Sequence, residues 1–474
     1  MESVSIVRHV NPVLTIAPTK IMRNAVLRHR LVIISAFLFF LGLAVRLLLV
    51  SLDPDTPKAL VFRQLDYRNG LGGMDEPVRI AISLATTGRY ADAYGAATGP
   101  TAHCAPLHPL LLSVLVRFLG TGKAGAWATE IATSMASSLA FALLPVLAVA
   151  ARLKPITGVL AGIAGTLLPI NFGYQTAGGF FDAAFTAAAL VGLCILMCRI
   201  WARATYAMRE GAVLGAATGV GSLLNPVVLP VVAAWVIAIA VEHRQFARRV
   251  LVFCGACAAC YIVPVMPWAI RNLRALGSPI FTRSNFWLEM QVSNNGMLTA
   301  DMQRNLSMWQ WALVHPSLCF IENSRVIQLR AIQRRRVKQL GEVAYMRSKR
   351  EQAMAWISSH KREFLVLTAQ RFRLFWLPRM TRPLQTLSEA LLTILGLAGL
   401  VLLFQQRARS AWLFAGIFIA YPAVYYLLQA SPRYRLPVEP FLFLLAANVF
   451  WTFAVKLRMR LGKARWIDHV EVVS

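Results

Sequence analysis

The stretch LVIISAFLFFLGLAVRLLLVSL, residues 31–52, decides the class of fold. At 1.5 Å per residue a helix over it is about 33 Å long, enough to cross a hydrocarbon core of about 30 Å. Arg8, Lys20, Arg23, Arg28 and Arg30 precede it, and no small-residue cleavage site ends it. It therefore reads as an uncleaved first span whose N-terminal side stays inside. Working outward, comparable apolar runs lie near 125–151, 156–171, 180–200, 211–224, 226–242, 250–270, 386–404, 411–429 and 437–455. Asn225-Pro226 fits either a tight turn between two short spans or a break in one longer element. The expected fold is all-α, a polytopic integral membrane protein of about ten transmembrane helices.

Composition agrees. Hydrophobic residues make up 57% of the 474 positions and charged residues only 15%, against about 25% charged in soluble domains. The formal charge of +28 has three sources in such a chain: cytoplasmic anchoring, attraction to anionic membrane lipids, and a site for an anionic substrate. No nucleic-acid partner is expected. The short inner connections hold Arg152 and Lys154; Arg199, Arg203 and Arg209; Arg244, Arg248 and Arg249; and Arg407 and Arg409. The tail adds Lys456, Arg458, Arg460, Lys463 and Arg465. The opposite connections at 172–179 and at Asn225 carry no Lys or Arg. Shifting the parity by one span reverses this positive-inside pattern.

The parity divides the chain. Residues 1–30 form a basic cytoplasmic N-terminus, and 31–270 a transmembrane core with its first outer loop at 53–124. Residues 271–385 form a long outer loop, 386–455 the C-terminal transmembrane helices, and 456–474 a cytoplasmic tail. The long loop is very basic, but loops beyond about 60 residues escape the charge rule. Its stretch from 325 to 376 has helical periodicity and few breakers, as amphipathic helices at a membrane surface do. Four segments face outward: 53–124, Asn171–Phe181, 271–385 and Gln429–Arg435. The unusual polar constellations fall in them.

Asp75 and Glu76 come first, in Gly72-Gly73-Met74-Asp75-Glu76-Pro77. Adjacent side chains diverge by about 100° on a helix, so the pair divides into a general base and a positioning acid. A helix-capping turn, with acids before Pro77, is the equally weighted structural reading. Arg79 and Tyr90 follow, then His103 and His108 in a loop rich in proline and small residues. Asp182 opens the fourth span, as a first-turn acid or as a second acid of the cleft. Arg271 and Asn272 end the seventh span, Asn294 and Asn295 lie beyond, and Arg433-Tyr434-Arg435 joins the last two spans. Arginine at outer helix ends suits a phosphate near the headgroup plane, and Tyr434 suits a sugar face. Within the membrane, Arg46 and Glu130 lie at similar depth, which fits pairing between them or snorkelling of Arg46 to the headgroups.

The Cys254, Cys257, Cys260 spacing lies in an apolar run with Cys194 and Cys198 in another, and reads as small-residue helix packing. Cys104 and Cys319 fall in outer loops, where pairing is open to them. No GxxxxGK[ST] loop, metal-ligand His/Cys spacing or GxSxG elbow occurs. No cofactor is required by the sequence; a divalent ion remains compatible.

With these residues in place, the chain resembles the GT-C superfamily of membrane glycosyltransferases. It is most similar to the branch of protein O-mannosyltransferases, lipid A aminoarabinose transferases and bacterial galacturonosyltransferases. Four features carry the likeness: Asp75-Glu76 with Ala81 and Gly88-Arg89-Tyr90; Pro106-Leu107-His108-Pro109; Pro267-Trp268, Arg271-Asn272, Gly277 and Asn294-Asn295; and Arg433-Tyr434-Arg435-Leu436-Pro437 with Pro440. The resemblance implies a sugar donor on a polyprenyl phosphate and a glycan, lipid or protein acceptor. It implies catalysis by the first-loop acid at the periplasmic face of a bacterial inner membrane, both termini being cytoplasmic. Asp75 is then the general base, and Arg79, Arg271, Arg433 and Arg435 are the candidates to stabilise the leaving phosphate. Val78-Arg79 departs from relatives that carry an aromatic nearby, which bears on the sugar more than on the reaction. Two rivals compete. A polyprenyl-diphosphate-glycan ligase or polymerase does not account for the acidic pair, and a lipid-linked-glycan flippase wants charge along a central path.

Overall fold

The computed structural model describes residues 25–52, 76–95, 97–168, 182–306, 324–380 and 383–471. Asp75, Cys319 and the segment 171–181 lie outside them. Among the described residues the chain is all helix, with two isolated bridges, Ala91 to Pro100 and Asp301 to Ala430.

The helices are α1 (Ala25–Leu52), α2 (Glu76–Thr87), α3 (Leu107–Leu119), α4 (Lys123–Ala142), α5 (Leu144–Ala150), α6 (Pro155–Leu167), α7 (Ala183–Arg203), α8 (Met208–Leu224) and α9 (Val228–Glu242). They continue as α10 (Ala247–Leu276), α11 (Phe286–Ser293), α12 (Met302–Leu306), α13 (Ser324–Leu340), α14 (Glu342–Ser359), α15 (Lys361–Trp376), α16 (Pro383–Gln405), α17 (Ser410–Ala420) and α18 (Glu439–Glu471). Each predicted apolar run coincides with helix. Six elements of the described residues are long and apolar enough to cross a membrane: α1, α4 with α5, α7, α10, α16, and Pro432–Met459. α6, α9 and Ser410–Tyr426 are apolar but shorter, so the count of ten spans is not matched by ten full-length helices.

Local breaks have chemical causes. Pro145 lacks the N–H that would bond the Phe141 carbonyl, and α4 gives way to α5 there. α6 approaches this break closely: a Cβ on Gly162 would lie 3.1 Å from the Phe141 oxygen. Asn225 settles its own region as a turn between two helices, its Oδ1 accepting the Val227 N–H at 3.1 Å.

The bundle has an inside and an outside. α4, α7 and Pro432–Met459 are mostly buried, and α7 passes through the main core with Leu190, Cys194, Met197 and Trp201. α1, α10 and α16 bury only a minority of theirs. They turn Val32, Phe40, Leu251, Val263, Leu384 and Ile394 outward, as lipid-facing helices do. The tightest approach is α8 on α10. Gly211, Gly215 and Gly219 lie one turn apart, and Cβ atoms there would sit 2.2, 2.0 and 2.6 Å from the Phe253, Cys257 and Tyr261 carbonyl oxygens. Only glycine permits that contact, and Cys257 takes part through its backbone.

Arg46 and Glu130 are both buried. Arg46 donates to the Gly42 carbonyl at 3.2 Å and lies over the Phe141 ring at 5.5 Å, and the Glu439 charge acts on it.

At one end of the bundle a second apolar core joins distant segments. Ile80 of α2, Tyr90 and Tyr94 of the loop, Leu288 and Val292 of α11, Val337 of α13, and Tyr345 of α14 pack together. The first loop and the long loop are thus one structure, seated over the N-terminus of α7.

Candidate functional site

The site begins where α2 begins. Glu76 lies in its first turn, where the helix dipole favours an acid. Its side chain is 15% exposed, and Oε1 is 4.0 Å from His103 Nε2. The other imidazole nitrogen, Nδ1, is hydrogen-bonded to the Tyr94 hydroxyl at 2.7 Å. Tyr94 and His103 are buried, so the imidazole is fixed in orientation.

Cys104 links this acid to the rest of the cleft. Burial pushes its thiol up, the Glu76 charge adds to that, Arg283 opposes it, and Asp182 and Glu342 add smaller contributions. Charges act this way over short range only, so Glu76, Asp182 and Arg283 share one neighbourhood. Asp182 lies at the start of α7. Burial raises its carboxyl above the ordinary carboxylate range, while Arg283 and Arg433 pull it back.

Arg283 is half-buried and, among the described residues, is held by no hydrogen bond or ion pair. Arg433 is also half-buried; its Nη2 donates to the Tyr434 hydroxyl at 3.1 Å. Tyr434 stacks on Tyr425 with centroids 4.4 Å apart. This neighbourhood therefore brings together two acids, two half-buried cations and a stacked pair of tyrosines.

Glu342 fastens the wall of this cleft. Its Oε1 accepts the Ala102 N–H and the Ser284 hydroxyl, both at 2.7 Å, and its Oε2 accepts the Thr101 hydroxyl. The Ser284 N–H donates to the Ala102 carbonyl at 2.8 Å. That stitch carries the neighbouring Arg283 to Cys104.

The other residues selected from the sequence lie in the packing. Arg271 donates to the Thr101 and Tyr90 carbonyls at 2.6 and 2.5 Å and lies over the Tyr90 and Trp268 rings. Tyr90 donates to the Cys104 carbonyl at 3.0 Å. Asn272 accepts from Arg271 and donates to the Ile280 carbonyl. Asn294 accepts from Arg371 and donates to Met290 and Leu427 carbonyls. Asn295 bonds the Gln291 and Val292 carbonyls and receives the Met297 N–H. Arg79 is fully buried, with the Ala93 carbonyl 3.5 Å away. His108 packs on Phe185, and burial pulls it down to about 4, so it is neutral at physiological pH.

Arg435 is turned wholly inward. It meets Glu389 at 3.0 Å and Glu439 at 4.0 Å, all three with no exposed surface. It also donates to the Trp376 carbonyl and the Thr393 hydroxyl. Of the four arginines selected for a phosphate, Arg433 lies at the cleft; Arg283 joins it there. Sequence reasoning missed Arg283 because a loop residue between Pro279 and Asn285 has no periodicity to mark it. Among the described residues no three His, Cys, Asp or Glu side chains gather as metal ligands.

No protein-family model and no curated protein matches the chain. Among solved structures it is similar to ArnT from Cupriavidus metallidurans, crystallised with undecaprenyl phosphate bound. Identity is 15%, the match covers 85% of this chain and 77% of that one, and the TM-score is 0.35. At that level the functional reading rests on this chain's own residues.

Proposed function

We propose that this protein is a membrane glycosyltransferase that moves a hexosyl or pentosyl group from a polyprenyl-phosphate donor to a cell-envelope glycan, lipid or protein. The reaction takes place at the periplasmic face of a bacterial inner membrane. The observation that carries the reading is the joining of Glu76, next in sequence to Asp75, with Asp182, Arg283 and Arg433 in one cleft beside α7. The sequence pattern of the first loop supports it, and so does the outward side that the inner-loop charges assign to this end.

In this reading an acceptor hydroxyl attacks the anomeric carbon as the bond from that carbon to the phosphate oxygen breaks. The hydroxyl proton passes to Asp75, and the lipid phosphate departs with the bonding electrons. Arg283 and Arg433 stabilise the charge that grows on it. Glu76, held toward His103, positions the first-loop acid, and the stacked Tyr425 and Tyr434 offer a face to the sugar. With a phosphate acceptor, which needs little deprotonation, Asp75 orients instead.

The test is transfer by purified protein in lipid, offered a panel of polyprenyl-phosphate sugars. Wild type should transfer one of them, and a folded Asp75→Asn variant should not. Equal activity in Asp75→Asn and Glu76→Gln would move the catalytic centre away from α2.

A further inference from the structure

At the other end of α7, about 30 Å away for its 21 residues, lies a cavity that the transfer reaction does not use. Its volume is about 420 Å³, and it is lined by Thr205, Tyr206, Ala207, Met208, Arg248, Arg249 and Val252. That is within the range of small-molecule sites, about 300–1,000 Å³. The lining consists of two helix starts: α8 begins at Met208 and α10 at Ala247. Both helices run the same way, held by the glycine contacts, so their positive ends converge.

The α8 start is capped by its own acid, Glu210, and the α10 start has no such acid. α10 has no acid in its first turn and no side-chain cap, and carries Arg248 and Arg249 instead. Both arginines are exposed, and among the described residues neither makes a hydrogen bond or ion pair. Glu210 is the acid of α8, and it is turned onto its own helix start. It accepts from the Thr205 hydroxyl at 2.7 Å and the Ala207 N–H at 3.3 Å, and meets Arg203 at 3.4 Å. Glu242 lies with Arg409 at 3.2 Å and the Trp201 indole at 2.9 Å.

An independent observation comes from Tyr206. It is 2% exposed, lines the cavity, and its hydroxyl has no hydrogen-bond partner among the described residues. Its backbone is in the left-handed region, φ 45°, as is Ala204, φ 53°. Its ring packs on His243 and Phe253, with centroids 4.8 and 5.9 Å away, and that packing leaves the buried hydroxyl without a partner among the described residues. Burial pushes the phenol up to about 12, Glu242 adding to this and Arg409 opposing it. It is a proton donor at neutral pH.

We infer that this cavity binds a phosphate ester, held by Arg248, Arg249, the α10 helix start and the Tyr206 hydroxyl. Its lip favours a lipid as the source. Met208 and Val252 are exposed there, and Phe246 and Leu251 extend the apolar surface alongside. A phospholipid can place its headgroup in the cavity and its chains along α10.

The test is native mass spectrometry of the full-length protein after delipidation, with added phosphatidylglycerol or with diacylglycerol, which lacks the phosphate. Wild type should retain phosphatidylglycerol and not diacylglycerol. The double variant Arg248→Ala/Arg249→Ala should lose at least tenfold in retention, and Tyr206→Phe, which keeps the ring, about threefold, both at unchanged melting temperature. Displacement by millimolar glycerol 3-phosphate would assign the site to soluble phosphate esters; persistence against it would assign the lipid. Equal retention by wild type and both variants, or of both lipids, would overturn the inference. None of these readouts depends on glycosyl transfer.

Discussion

Two arginines two residues apart, Arg433 and Arg435, lead opposite lives. Arg435 is enclosed between the last spans, with Glu389, Glu439, a carbonyl and a hydroxyl around it. Arg433 is half-buried near Asp182 and near Arg283, which no hydrogen bond or ion pair holds among the described residues. The first kind of cation is part of the folded chain's own electrostatics, and removing its partner leaves a charge stranded in low dielectric. The second lies half-buried beside another half-buried cation. Enclosure between buried acids, more than charge, separates the two arginines.

The largest effect should come from breaking the enclosed pair. Glu389→Ala should cost about 3–5 kcal/mol, as stranding one partner of a buried pair does, read as a lowered melting temperature in detergent. Replacing all three members, Arg435→Met with Glu389→Leu and Glu439→Gln, should recover much of that loss. If the single variant melts like wild type, the pair is not as enclosed as its contacts show.

Arg283→Ala should do the opposite. Its stability should stay within about 0.5 kcal/mol of wild type, while transfer falls about 10²–10³-fold, the scale for removing a charge stabiliser. A stability loss with intact transfer would move Arg283 into the structural class. Glu342→Gln should fall between. It keeps the shape but weakens three accepted hydrogen bonds, for about 1–3 kcal/mol, and should lower transfer through the wall that carries Arg283.

The last effect is a pH dependence. Lys349, buried in α14 with Gln291 Oε1 at 3.3 Å, is pulled down to about 8 by burial and by Arg336. The native state releases this proton near pH 8, the unfolded chain near 10.4. Stability should therefore rise with pH between those values, and its contribution should fade as pH falls through 8. Lys349→Met should flatten that part of a melting-temperature profile.

The helices were legible because apolar runs of span length leave few alternatives, and Asn225-Pro226 left only a choice between turn and break. Their lengths were less so: the break at Pro145 and the short α6 and α9 depend on how neighbours pack. The face of a side chain in a short turn was not legible at all. Pro432–Val438 is a 3₁₀ segment, and with three residues per turn positions two apart point about 120° from each other. That rotation separates Arg433 from Arg435, and no composition or spacing reveals it. Arg271 and Asn272 were selected as polar groups at a helix end, and they bond the loop that the same helix must hold. Asp75 lies outside the described residues.

The three glycines of α8 have a mechanical consequence. With carbonyl oxygens where side chains would be, α8 and α10 can neither roll nor slide past one another without a collision. They act as one beam. One end of that beam frames the cavity of Arg248 and Arg249, and the other bears Arg271 and, just beyond Gly277, the turn that holds Arg283. Arg283 thus follows a helix that α8 braces, and a bulky residue at Gly215 would shift its aim without touching it.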